Sequence, residues 1–168
     1  MRTLDSLVYS RRTAILAAMA AMIAANGPSR RRPRVLFVCE HGTVKSPIAR
    51  ELLRTQATAR GIPVKVRSRG IAPKEAATPE LAAALVRDGI DVKREPLRRL
   101  SRADAKWADV VVHFHPLPLD LRASATRDWT DTPSVNGEYA AAMARIGERI
   151  DALLGEIARG AIAGGKRS

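Results

Sequence analysis

One segment constrains the fold more than any other. Arg34 to Val38 is a short apolar run of strand type, and it meets Cys39-Glu40-His41-Gly42-Thr43-Val44-Lys45 without a spacer. Ser46-Pro47 follows, predicting a helix with Ser46 as its N-cap and Pro47 at its first position. A strand that turns into a helix through seven residues aims consecutive backbone N–H groups into one concavity. The helix N-terminus adds partial positive charge there. Such a nest suits a tetrahedral oxyanion such as phosphate, sulfate or arsenate. Gly42 permits a backbone angle that a side chain would oppose.

The rest of the chain repeats the alternation. Ile48, Leu52 and Leu53 carry a helical stripe to about Arg60, and Gly61 stops it. Pro63 to Arg69 predicts a second strand. Thr78-Pro79 opens a second helix through Leu81, Leu85 and Val86, ending at Gly89. Trp107 to Phe114, with Val110, Val111 and Val112, predicts a third strand of the buried parallel kind. Thr126 to Trp129 predicts a short fourth. Tyr139, Met143, Ile146, Ile150, Leu153 and Ile157 mark the last helix, which Gly160 ends. The expected fold class is α/β, a small doubly wound four-stranded parallel sheet with helices on both faces. Its ligands should bind beyond the carboxyl ends of the strands.

Composition excludes several functions. With Cys39 alone, neither an internal disulfide nor a four-cysteine zinc site can form. Aromatics at 4% leave no base-stacking platform for single-stranded nucleic acid. The net charge of +12, from 29 basic and 17 acidic residues, favours anionic partners without naming one. Nucleic acid is therefore not the expected partner.

The first 27 residues read as an address. Arg11 and Arg12 precede an uncharged stretch from Thr13 to Ala25, and Asn26-Gly27-Pro28 breaks it. Ser10 to Leu16 resembles a twin-arginine export signal, departing from it at Ala14 and Leu16. The stretch is shorter than the roughly 20 residues of a membrane span, so no span is expected in the mature chain. The expected location is periplasmic, with the cytoplasm as the alternative. The expected division is 1–27 export signal, 28–33 basic linker, 34–160 α/β domain and 161–168 flexible tail.

Cys39, five residues, Lys45 and Ser46-Pro47, preceded by Val35-Leu36-Phe37-Val38, resemble the low-molecular-weight protein tyrosine phosphatase family and its related arsenate reductases. Ser68-Arg69-Gly70-Ile71, Gly89-Ile90-Asp91-Val92, Arg98-Arg99-Leu100 and Ala108-Asp109-Val110-Val111-Val112 extend the likeness over about residues 34 to 158. The resemblance implies Cys39 as nucleophile, attacking phosphorus through its thiolate to form a thiophosphate intermediate. It implies Glu40, His41, Gly42, Thr43, Val44 and Lys45 as the oxyanion cradle, with Ser46 bonding the thiolate. It also implies a late aspartate as general acid and base. Asp131, in Asp131-Thr132-Pro133, is the first candidate and Asp128 the second. The implied partner is a phosphorylated protein, a small phosphomonoester or another oxyanion, and no cofactor is implied.

Two departures qualify the resemblance. Lys45 stands where the family places arginine, a planar fork that grips two oxygens. Losing one charge-assisted hydrogen bond costs about 1.5–3 kcal/mol, or about 10- to 100-fold in rate. A weakened phosphatase, a preference for a different oxyanion or an anion-binding pseudoenzyme would follow. Val44 stands where some members carry a second cysteine, so arsenate reduction here would need an external thiol. Cys39, His41, His113 and His115 have the donor types for a metal, but the fold requires none and no metal site is expected. Trp107 and Trp129 are expected to pack in or beside the core.

Overall fold

The computed structural model describes residues 31–118, 121 and 125–162. The expected export signal lies outside the described residues, as do all but the end of the linker and all but the start of the tail. The described residues from Arg32 to Ile162 belong to one compact unit.

The described residues form four strands and four helices. They are β1 (Arg34–Cys39), α1 (Lys45–Ala59), β2 (Lys65–Gly70), α2 (Pro79–Arg87), α3 (Arg102–Trp107), β3 (Val110–His113), β4 (Thr126–Asp128) and α4 (Tyr139–Ala158). The sheet order is β2-β1-β3-β4 and every pairing is parallel. The expected α/β sheet is therefore the observed one. Its order reverses at β1, so the crevice for a ligand lies at the carboxyl end of that strand, where Cys39 sits.

Side-chain alternation along β1 separates two cores. Val35, Phe37 and Cys39 face α1, α2 and α4, and pack with Ile48, Leu53, Ile146, Ile150 and Leu154. Leu36 and Val38 face the other way, toward Leu100, Ala108 and Val111. β1 is buried on both faces from Val35 onward, which is why it is a continuous apolar run. Packing continues past the expected domain end, since Ile162 is buried in the larger core.

Several boundaries differ from expectation for identifiable reasons. α1 begins at Lys45 with Val44 as its N-cap, and no side chain caps it. Ser46 therefore does not act as the cap, because its hydroxyl is turned to Cys39 and Arg69. Trp107 does not open β3. It closes α3, a helix started by a reciprocal capping box between Ser101 and Asp104. Thr78 caps α2 as expected, accepting from the Leu81 N–H at 3.2 Å. Gly61, Gly89 and Gly160 all take positive φ just past helix ends, the conformation that terminates helices most readily.

Candidate active site

The loop between β1 and α1 is held from outside by its own carbonyls. The Cys39, Glu40 and His41 carbonyls accept from the N–H groups of Ile71 (3.1 Å), Ala72 (2.8 Å) and Lys74 (3.2 Å). In a trans peptide the next N–H points opposite to the carbonyl. The N–H groups of Glu40, His41 and Gly42 are thereby turned inward, and that of Gly42 donates to Cys39 Sγ at 3.2 Å. Thr43 Oγ1 ties the far side of the loop by donating to the Lys74 carbonyl at 2.9 Å.

Two glycines make this shape possible. Gly42 has φ +75°, in the left-handed region. Gly70, the register partner of Cys39, passes directly behind the loop. A Cβ on Gly70 would lie 2.8 Å from the His41 carbonyl carbon and oxygen and 2.9 Å from the Gly42 nitrogen. Close backbone approach thus fixes the back wall.

Cys39 is buried, with Sγ 3.0 Å from Ser46 Oγ. Ser46 is fully buried and also reaches the Arg69 carbonyl at 3.3 Å. The Gly42 N–H and the Ser46 hydroxyl both suit an anionic sulfur. Arg69 is in turn fixed by a buried ion pair with Asp104, Nε to Oδ1 at 2.9 Å. Burial would raise the Asp104 carboxyl, but bonds from the Ser101 hydroxyl and Arg69 outweigh it, and the net shift is downward.

Lys45 starts α1 and crosses to the loop after β4, where Nζ donates to the Thr132 carbonyl at 2.6 Å. Burial pushes the Lys45 ammonium below its ordinary value, against the opposing pull of Cys39 and Asp131. Asp131 precedes Thr132 in that loop. Its carboxylate takes Arg149 Nη2 at 2.6 and 2.7 Å and Arg145 Nη2 at 3.3 Å. Those bonds, that of Arg149 foremost, hold the Asp131 carboxyl below the usual range.

The two candidate aspartates part company here. Asp128 is the register partner of His113, on the sheet face opposite Cys39. Its carboxylate accepts from the Thr130 N–H (2.8 Å) and hydroxyl (2.7 Å), which closes the turn and lowers its carboxyl. Asp131 lies beside Lys45.

The remaining expected residues are peripheral. Glu40 and His41 pair on the loop rim at 3.7 Å, and His41 Nδ1 is 3.3 Å from the Ala72 carbonyl. His113 Nδ1 is buried without a hydrogen-bond partner among the described residues. No three His, Cys, Asp or Glu side chains converge to hold a metal among the described residues. Trp107 packs under Arg67, whose guanidinium lies 4.0 Å from the ring centroid, away from the site. Trp129 is core, edge-on to Phe114 at 5.6 Å.

Sequence reasoning missed Thr132, Arg145 and Arg149. The two arginines are one helical turn apart on α4, a spacing that puts them on one face, but the apolar stripe of that helix was its visible signal. It also missed a cleft of about 830 Å³ beside the loop rim. Gly42 and Thr43 form one end, with Leu85, Val86, Ile90 and Leu97 along its wall.

A strand-borne cysteine, a nest of inward amides and a helix N-terminus meet at the carboxyl end of β1. The family model for low molecular weight phosphotyrosine protein phosphatase matches residues 34–127, more than half of the chain. The protein belongs to that family. No curated protein matches it. Among solved structures, YfkJ from Bacillus subtilis is similar, with TM-score 0.66 and 22% identity over 79% of this chain and 98% of that one. A low molecular weight protein tyrosine phosphatase from T. tengcongensis has TM-score 0.61 and 22% identity, over 74% and 99%. An arsenate reductase in its phosphate-binding state has TM-score 0.61 and 21% identity, over 74% and 98%. At these identities the likeness establishes a shared fold.

Proposed function

We propose that the protein hydrolyses phosphomonoesters through a cysteinyl-phosphate intermediate. The observation that carries this is Cys39 Sγ, which takes the Gly42 amide at 3.2 Å and lies 3.0 Å from the Ser46 hydroxyl, at the mouth of an amide-lined loop. The phosphoryl group would sit on the inward amides of residues 40–45, with its charge met by the α1 N-terminus and Lys45. The Cys39 thiolate attacks phosphorus, an S–P bond forms, and the P–O bond breaks with its electron pair leaving on oxygen. Water then attacks phosphorus, releasing phosphate and regenerating the thiolate. Asp131, in the loop that Lys45 reaches, is the proposed proton-exchanging group.

Arsenate reduction on the same loop is the second reading, favoured by the cradle's fit to any tetrahedral oxyanion. With one cysteine in the chain it would consume an external thiol. The test is release of p-nitrophenol from its phosphate ester by the purified protein and by Cys39→Ser. Turnover lost in the variant, with phosphate binding kept, supports the proposal. Turnover retained in Cys39→Ser refutes it, and arsenate-dependent thiol consumption without ester hydrolysis favours the second reading.

Residues 1–27 are proposed as an export signal, which places the mature domain in the periplasm. Fusing them to a reporter active only after translocation tests this. A reporter that stays inactive refutes it.

A further inference from the structure

Arg149 is a firmly held cation in contact with the proposed proton-exchanging residue, Asp131. Its guanidinium lies 5.6 Å from the centroid of the buried Trp129 ring. Nη1 donates to Thr132 Oγ1 at 3.1 Å, and Nη2 straddles both oxygens of Asp131. The Arg149 side chain is only 16% exposed, whereas that of Asp131 is 60% exposed. The arginine is thus the fixed partner and the carboxylate is the one being held. Arg145 adds a second contact from one turn away, and is itself paired with Glu148. Lys45 from α1 is the third cation facing Asp131, and Asp128 is the neighbouring anion.

A proton-exchanging aspartate meets opposite demands in the two halves of the proposed reaction. It must carry a proton when the ester oxygen leaves. It must be ionised when water attacks the phosphocysteine. Two guanidinium partners favour the ionised form and so serve only the second half.

We propose that Arg149, with Arg145 as its outer partner, is a positioning residue that holds Asp131 as a carboxylate and restricts the site to substrates whose leaving group departs unprotonated. This rests on the phosphatase reading above and names its substrate class, the phosphate esters of acidic phenols and acyl phosphates. In the first step the P–O electron pair leaves on a phenolate or carboxylate and Asp131 gives no proton. In the second step Asp131 takes a proton from the attacking water, and phosphate and the Cys39 thiolate are released. Arsenate is a poor substrate on this reasoning, because its leaving hydroxide needs a proton.

The test compares kcat/KM for p-nitrophenyl phosphate and phenyl phosphate across the acidic to neutral range. The enzymes are the wild type, Arg149→Met, Arg149→Lys, Arg145→Ala and Asp131→Asn. Methionine keeps an apolar stem on Trp129 and removes the charge. The wild type should strongly prefer the nitrophenyl ester. Arg149→Met should narrow that preference about tenfold by raising the phenyl ester rate, the low end of what one charge-assisted hydrogen bond to the carboxylate is worth. Its phenyl ester profile should also extend to higher pH, and Arg149→Lys should fall between. Asp131→Asn should keep the wild-type ratio while losing rate on both esters, because the wild-type carboxylate gives no proton in the first step and serves only the second. An unchanged ratio in Arg149→Met overturns the role of Arg149, and a lower phenyl ester rate relative to the nitrophenyl ester in Asp131→Asn shows that wild-type Asp131 does donate a proton, and the proposal falls. If Arg149→Met loses its circular dichroism signal, the exposed Arg145→Ala must shift the ratio in the same direction, and no shift overturns the proposal. Cys39→Ser separately reports on the phosphatase reading, so the two failures are distinguishable.

Discussion

Replacing Gly70 by alanine tests whether the loop depends on its back wall. Gly70 does not have positive φ, so alanine brings no backbone strain of its own. Its whole effect comes from one added methyl. That carbon would lie 2.8 Å from the His41 carbonyl, where ordinary contact begins at 3.4 Å, an overlap of 0.6 Å (3.4 − 2.8). The atoms it meets are backbone and cannot rotate away, so either β2 or the loop must move. Overpacking of this kind costs about 1–3 kcal/mol. For a domain of this size Tm should fall by about 3–6 °C per kcal/mol. The catalytic cost is separable. A misplacement of about 1 Å in a positioned group costs about 100-fold, so a shift of roughly 0.6 Å scales to about tenfold or a little more. The assay is kcat/KM for p-nitrophenyl phosphate beside the inhibition constant for inorganic phosphate. Both should worsen by about tenfold at temperatures where the variant remains folded. Wild-type values for both, with or without a lower Tm, would refute the reasoning, because the cradle would then tolerate the methyl without moving.

Four further outcomes follow from other parts of the molecule. Asp104→Ala strands the buried Arg69 guanidinium and should destabilise the domain by about 3–5 kcal/mol, while Arg69→Met with Asp104→Leu should recover most of that; equal losses would refute it. Because the Asp104 carboxyl is lowered in the fold, its contribution is present above its unfolded value of about 3.9 and is lost as pH falls through the lower folded value. Urea unfolding should therefore show a weaker acid dependence in Asp104→Asn than in the wild type. Gly147 lies inside α4 with open space where a Cβ would go, so Gly147→Ala should stabilise by about 1 kcal/mol in chemical denaturation. Lys45→Arg should raise the phosphatase rate by about 10- to 100-fold, and an unchanged or lower rate would mean the loop is built around lysine.

Local signals were legible in the sequence and long-range ones were not. The run Val35–Val38 predicted a strand because both its faces are buried, and Thr78-Pro79 predicted a helix start because capping is a local bond. The cradle was visible for the same reason, since strand, loop and helix are contiguous. Ser46 misled because its hydroxyl had two offers, and Cys39 and Arg69 outcompeted the helix N-terminus. The capping box at Ser101 and Asp104 was written in the sequence, but the valines after it drew Trp107 into the strand. The clamp on Asp131 joins positions 14 and 18 residues apart, from a loop to a helix. No periodicity announces such a contact, because it depends on where α4 lies after the core has packed.

Lys45 ties these parts together. An arginine fork can grip two oxygens of an anion, whereas an ammonium offers three donors from one point. One of the three is committed to the Thr132 carbonyl at 2.6 Å. Two remain for a bound oxyanion, so the substitution does not empty the cradle. It divides the cation between the anion and the loop that carries Asp131. Thr132 also accepts Arg149 through its hydroxyl, so Lys45 and Arg149 grip the same residue from α1 and α4. Changing either cation should therefore alter both anion affinity and the leaving-group preference. Their double-mutant cycle should show coupling beyond the roughly 0.5 kcal/mol at which independent sites add, and strict additivity would mean that Thr132 does not transmit between them.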